Sequence, residues 1–128
     1  MNKINQIKNK IKTLSQNINV PNNLLPIYEL NDFAHPYIEL DENDNYNYVV
    51  RERGMEYERK VFSDDNALLF EVFKDITSSM ATDFELKNRI EGQDIRILLF
   101  TKQEELLGIL DERWQERQRR INLEYLNN

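Results

Sequence analysis

Apolar residues at the start of the chain recur with a helical period: Ile4, Ile7, Ile11, Leu14 and Ile18 fall three or four apart, with lysine, asparagine and glutamine between them. That spacing puts them on one stripe of an amphipathic helix within residues 1 to 20. Pro21 ends it. From Pro21 to Pro36 the periodicity disappears, and prolines at 21, 26 and 36 with an Asn22-Asn23 pair mark an ordered surface connector rather than a regular element.

After Pro36 the pattern turns β-like. Tyr37-Ile38-Glu39-Leu40 and Tyr46-Asn47-Tyr48-Val49-Val50 are β-prone runs, and Asp41-Glu42-Asn43-Asp44-Asn45 between them is a string of turn formers. Gly54 supplies a second tight turn, which sends Met55 to Phe62 back as a third antiparallel strand. A three-stranded meander over residues 36 to 62 follows.

Helical periodicity then returns. Ser63-Asp64-Asp65-Asn66 offers caps and places acids at the positive end of a helix dipole. Leu69, Phe73, Ile76, Met80 and Phe84 form the next stripe, widened by Leu68 and Val72. A helix from Asn66 to Arg89 would run about 36 Å. Glu91-Gly92 breaks it, Gln93 or Asp94 caps a third helix with a broad apolar face from Ile95 to Leu110, and Asp111 caps a fourth from Glu112 to about Tyr125. On that last helix Trp114, Ile121 and Tyr125 share a face. The fold class is therefore α+β: a three-stranded antiparallel meander packed against about four helices, in a single domain spanning residues 1–128, with the helical layer over 64–126.

Composition supports an ordered globular chain: 128 residues, 40% hydrophobic, with only three glycines and three prolines. At that length folding removes roughly two-thirds of the exposed surface, enough for a real core. No cysteine is present, so disulfides and thiolate metal sites are excluded and a reducing cytoplasm is the expected location. No apolar run reaches the length of a membrane span, and the first residues lack an unbroken apolar leader segment. No membrane association is expected.

Charge adds a directional clue. The net charge is -6, yet residues 1 to 20 hold four lysines and no acid, while residues 29 to 65 hold eleven acids against four bases, a local balance of -7. Such a region repels phosphate backbones and attracts basic partners, chiefly by raising association rates. Direct nucleic-acid binding is disfavoured.

Catalytic devices are missing from the residue pattern. His35 is the only histidine, and it precedes Pro36 in the connector without convergent partners. Asp41, Glu42 and Asp44 are closely spaced, but the segment lacks the central glycine and distal glutamate of a calcium loop, so a solvated turn is the simpler reading. The three glycines are isolated and build no phosphate loop. Arg51, Glu52 and Arg53 face Glu56, Glu58 and Arg59 across the Gly54 turn, which suits cross-strand ion pairs. Arg89, Glu91, Gln93, Asp94 and Arg96 read as a helix-junction network, and Arg113, Arg117, Arg119 and Arg120, interleaved with glutamates, as an exposed salt-bridged helix face. No catalytic residue, metal site or cofactor is assigned, and the chain is read as a non-enzyme.

The order YNYVVRERGMEYER, then DDNALLFEVFKDITSSMA, then FELKNRIEGQDIRILLFTKQEELLGIL resembles the immunity protein 63 family, antidotes encoded beside bacterial polymorphic toxins. The likeness runs from about residue 24, through Pro36-Tyr37-Ile38-Glu39 and the Tyr-Val-Val-x-Glu-Arg-Gly strand, to Trp114 and Arg117. It implies a protein that binds and neutralises the C-terminal domain of a cognate secreted toxin, expected to be a nuclease with a basic cleft. The expected partner-binding residues are the acids Glu39, Asp41, Glu42 and Asp44, with Tyr46 and Tyr48 as aromatic anchors. The alternative is a cytoplasmic adaptor or regulatory domain that binds another protein through the same sheet. A hydrolase built on paired carboxylates is a distant third, because no geometry supports it.

Overall fold

A computed structural model of the chain describes residues 2–127. The architecture is α+β. Among the described residues it comprises α1 (Lys3–Asn17), β1 (Tyr37–Leu40), β2 (Tyr46–Glu52), β3 (Met55–Phe62), α2 (Asp65–Lys87), α3 (Ile95–Leu110) and α4 (Glu112–Leu126), with one 3-10 turn at Asn22–Leu24 in the connector. The chain divides into two compact units. One takes the described residues through Thr13 together with Leu25–Val72, the other Leu14–Leu24 together with Phe73 onward.

In the first unit the strands lie in the order β1-β2-β3, all antiparallel, so β2 is central. Register places Ile38 and Leu40 beside Tyr48 and Tyr46, with Lys60 and Phe62 on the other flank, and so assigns all six to one face. Tyr37, Glu39, Asn47, Val49, Arg59 and Val61 take the opposite face. The first face is covered by helix. Ile7 and Ile11 of α1 and Leu68, Leu69, Phe70 and Val72 of α2 are buried, and full burial of each such side chain contributes about 1.5–3 kcal/mol.

Asp65, the first residue of α2, ties the three layers together. Its carboxylate accepts a hydrogen bond from the Tyr46 hydroxyl at 2.7 Å and pairs with Lys10 Nζ of α1 at 2.6 Å. Lys3 lies over the Tyr46 ring, 4.6 Å from its centroid. Lys10 and then Tyr46 hold the Asp65 carboxyl below its ordinary range, while burial followed by Asp65 pushes the Tyr46 hydroxyl well above its own.

The connector is more than a surface strap. Ile27 N–H donates to Pro36 O at 3.1 Å and Ile38 N–H to Ile27 O at 2.9 Å, which bridges Ile27 to the outer edge of β1. Further along, Phe33 bridges Glu52: Ala34 N–H donates to Arg51 O at 2.7 Å and Arg53 N–H to Asp32 O at 3.1 Å. His35 has a structural place, with Nε2 2.6 Å from Leu25 O. The β2–β3 turn is Arg53-Gly54, both in the left-handed region at φ 53° and 78°. Glycine adopts that geometry freely, whereas a residue with a Cβ carries strain of ~1 kcal/mol or more.

In the second unit α3 and α4 form an antiparallel hairpin hinged on Asp111. Its backbone N–H caps α3 through Leu107 O at 2.8 Å, and its side chain caps α4 by accepting from Arg113 N–H at 2.8 Å. Asp94 caps α3 in the same way, through Arg96 N–H at 3.0 Å. Phe73 and Trp114 stack at 6.2 Å within a core that includes Ile76, Ala81, Leu106 and Leu107. The expected stripe on α4 is revised here: Trp114 is buried, but Tyr125 is mostly exposed, and the amides of Gln118 and Asn122 take the inner positions. They are bonded in series, Gln118 Nε2 to Asn122 Oδ1 at 2.9 Å and Asn122 Nδ2 to Glu104 Oε2 at 3.0 Å, while Gln118 Oε1 is buried without a partner among the described residues.

Two substitutions test this packing. Trp114→Ala should cost about 3–5 kcal/mol of unfolding free energy in urea titration, and a loss below ~1 kcal/mol would show that Trp114 does not anchor its core. Tyr46→Phe should cost about 1–3 kcal/mol, the worth of a hydrogen bond to a charged group. A tyrosine raised in the folded state stabilises below its unfolded pKa of about 10 and loses that contribution as pH rises through the folded value. The variant should therefore lose less stability than the parent on the alkaline side. Equal alkaline slopes would remove the Tyr46–Asp65 bond from the account.

Candidate partner-binding surface

Six residues were expected at the binding surface, and the fold separates them. Tyr46 and Tyr48 lie on the helix-covered face and are buried, so neither presents a ring to solvent. The alternation Tyr46, Tyr48, Val50 reads as an exposed aromatic face only when the sheet is open on that side. Here α1 and the start of α2 close it.

The acids take three different positions. Asp41 is a structural latch in the β1–β2 turn: its carboxylate accepts from Asn43 N–H at 2.8 Å, Asn45 N–H at 3.1 Å and Asn47 Nδ2 at 3.0 Å. Glu39 stands on the outer sheet face and accepts from Arg59 Nη1 at 3.2 Å. Glu42 and Asp44 are exposed at the turn itself, with Asp44 in the left-handed region at φ 59°. Lysines from α1 moderate the local charge, since Lys3 Nζ donates to Asp44 O beside the turn.

Arg59 organises the outer face. Its guanidinium spans the sheet, donating through Nη1 to Asn47 Oδ1 at 2.7 Å and through Nη2 and Nε to Glu56 Oε1 at 2.7 and 3.0 Å, besides Glu39. Beneath this network Tyr37 and Val49 are fully buried. Arg51, whose register partner is Glu56, donates instead to Asp32 of the connector at 3.1 Å. A bulge between Val50 and Arg51 leaves Tyr57 without a register partner on β2.

Three exposed apolar residues lie at the other end of the sheet from the acidic turn, while Val61, also exposed, lies opposite Asn47 near that turn. Phe33 is 75% exposed, Met55 61% and Tyr57 62%. Phe33 and Met55 flank Glu52 in register, one on each side. Sequence reasoning missed this group because Phe33 sits in a segment without periodicity, and no pattern announces that the connector pairs with β2.

Elsewhere the charged clusters behave as structural pairs. Arg89 forks onto the buried Glu85 carboxylate at 2.9 and 3.0 Å, Arg96 joins Asp94 and Tyr125 O, and Arg113, Arg119 and Arg120 pair with Asp111, Glu104 and Glu116. Among the described residues, no group of three or more histidine, cysteine, aspartate or glutamate side chains could hold a metal ion. No helix of the described chain is long and apolar enough to cross a membrane.

The chain is a small α+β protein whose sheet unit carries a charged turn at one end and an exposed apolar hairpin tip at the other. The family model described as immunity protein 63 matches residues 42–124, well over half of the chain, and the chain belongs to that family. The match begins in the β1–β2 turn and takes in β2, β3, α2, α3 and most of α4. No curated protein and no solved structure matches the chain.

The latch at Asp41 has a measurable signature. Asn47 Nδ2 first, with the Asn45 and Asn43 amides, holds this carboxyl below its usual range. A group depressed in the folded state stabilises above its unfolded pKa, about 3.9, and that contribution is lost as pH falls through the folded value. Asp41→Asn should lower Tm near neutrality, and the gap to the parent should close in acid. A gap that persists below about pH 2 would assign the loss to something other than the carboxylate's charge.

Proposed function

We propose that this protein binds and neutralises a cognate secreted toxin domain, a nuclease, by direct protein contact in the cytoplasm, acting without a cofactor and without touching nucleic acid. Membership of the immunity protein family carries the reading, and the exposed acids Glu42 and Asp44 beside Glu39 favour a basic partner surface. Opposite potentials of this kind act mainly on encounter, raising association rates at low salt. Because Tyr46 and Tyr48 are enclosed, their part is to hold the turn and strand in place, while the acids face the partner.

The test is growth rescue. The toxic domain encoded beside this gene is expressed with and without the protein, and the two are then copurified. Rescue with a stable complex is expected, with an association rate that falls as salt rises. Glu42→Lys combined with Asp44→Asn should slow association several-fold at low salt and leave Tm within a few degrees of the parent. Failure of the parent to rescue or to copurify would overturn the neutralisation reading, and an association rate indifferent to salt would overturn the steering role of the turn.

A further inference from the structure

We infer that the β2–β3 hairpin tip, with Phe33 of the connector, is the anchoring contact for the protein partner, and that Arg53 meets a carboxylate set beside an apolar recess on that partner. The inference rests on the neutralisation reading for the identity of the partner.

Four observations converge on this one place. Phe33, Met55 and Tyr57 are each more than 60% exposed, while other aromatic residues of the same unit, Tyr37, Tyr46, Tyr48 and Phe70, are buried. Aromatic residues, methionine and arginine are the types enriched where protein interfaces concentrate their binding energy. Arg53 is an exposed cation whose side chain makes no hydrogen bond or ion pair among the described residues, whereas Arg51 and Arg59 beside it are both paired. A guanidinium left open next to apolar side chains is complementary to a carboxylate, which it can grip with two parallel hydrogen bonds.

The fourth observation is backbone strain. Two of the non-glycine residues held at positive φ, Ala34 at 64° and Arg53 at 53°, meet here on either side of the Phe33–Glu52 bridge. Asparagine or glycine would suit both positions better. The connector pays for neither through a buried core; it fixes them with Ala34 N–H to Arg51 O, Arg53 N–H to Asp32 O and the Arg51–Asp32 ion pair. A strained, clamped and exposed arginine is the pattern of a residue kept for contact rather than for stability.

That pattern makes a separable prediction. Full-length protein and its Arg53→Asn, Tyr57→Ala and Phe33→Ala variants are titrated against the toxic domain encoded beside this gene, and Tm is recorded for each. Arg53→Asn should weaken binding about tenfold or more while Tm stays level or rises, because asparagine relieves the left-handed strain. Tyr57→Ala and Phe33→Ala should weaken binding similarly with little change in Tm, since both side chains are already in solvent. Arg53→Glu should bind more weakly than Arg53→Asn; equal losses would overturn the carboxylate. If the parent binds and all these variants bind within about twofold of it, the tip is not the anchor. If the parent itself does not bind, the neutralisation reading falls, and the inference with it.

Discussion

The first unit depends on β2 being closed on both faces over Tyr46–Val49. A central strand buried on one side only would tolerate alternating polar residues. Here Tyr46 and Tyr48 must satisfy a helical cover while Asn47 and Val49 satisfy a roof of charged side chains. The Tyr46 hydroxyl goes to Asp65, and the Asn47 amide both donates to Asp41 and accepts from Arg59. Asn47 is the hinge of that arrangement. It links the turn latch to the outer ion network, so local chemistry at the turn and across the sheet is one connected set of bonds.

This closure decides what the unit can offer to another protein. With Tyr37, Tyr46, Tyr48 and Val49 all consumed in packing, no apolar side chain of the central strand remains for contact between Tyr46 and Val49. Exposed features at the two ends of the sheet include carboxylates at the β1–β2 turn and an apolar group with an open arginine at the β2–β3 tip. The two ends suit different tasks. Charges at a turn act at a distance and set how fast a partner arrives, whereas desolvated aromatic and guanidinium contacts set how long it stays.

Much of the fold was legible in the sequence, and the reason is local. Periods of 3.6 and 2, the caps at Asp94 and Asp111, and the glycine of the β2–β3 turn are signals carried by a few neighbouring residues, and each element starts within a few residues of where they place it. The candidate site was much less legible. Exposure of Tyr46 and Tyr48 depends on whether helices distant in sequence cover the sheet, and the partner of Arg51 is Asp32 in a connector whose pairing with β2 no local pattern encodes. Phe33 became part of a surface only because Asp32–Ala34 pairs with the end of β2, a contact that no period encodes. The inner amides Gln118 and Asn122 escaped notice for a similar reason: Asn122, which accepts from Gln118, is held by Glu104 on another helix.

The decisive measurement is amide hydrogen exchange of the protein alone and in complex with the toxin domain proposed as its partner, since it maps contact without altering a residue. Slowed exchange is expected at residues 32–34 and 51–57, with a weaker effect at the turn after β1. Protection confined to α3 and α4, with the hairpin tip exchanging as in the free protein, would contradict contact at the tip.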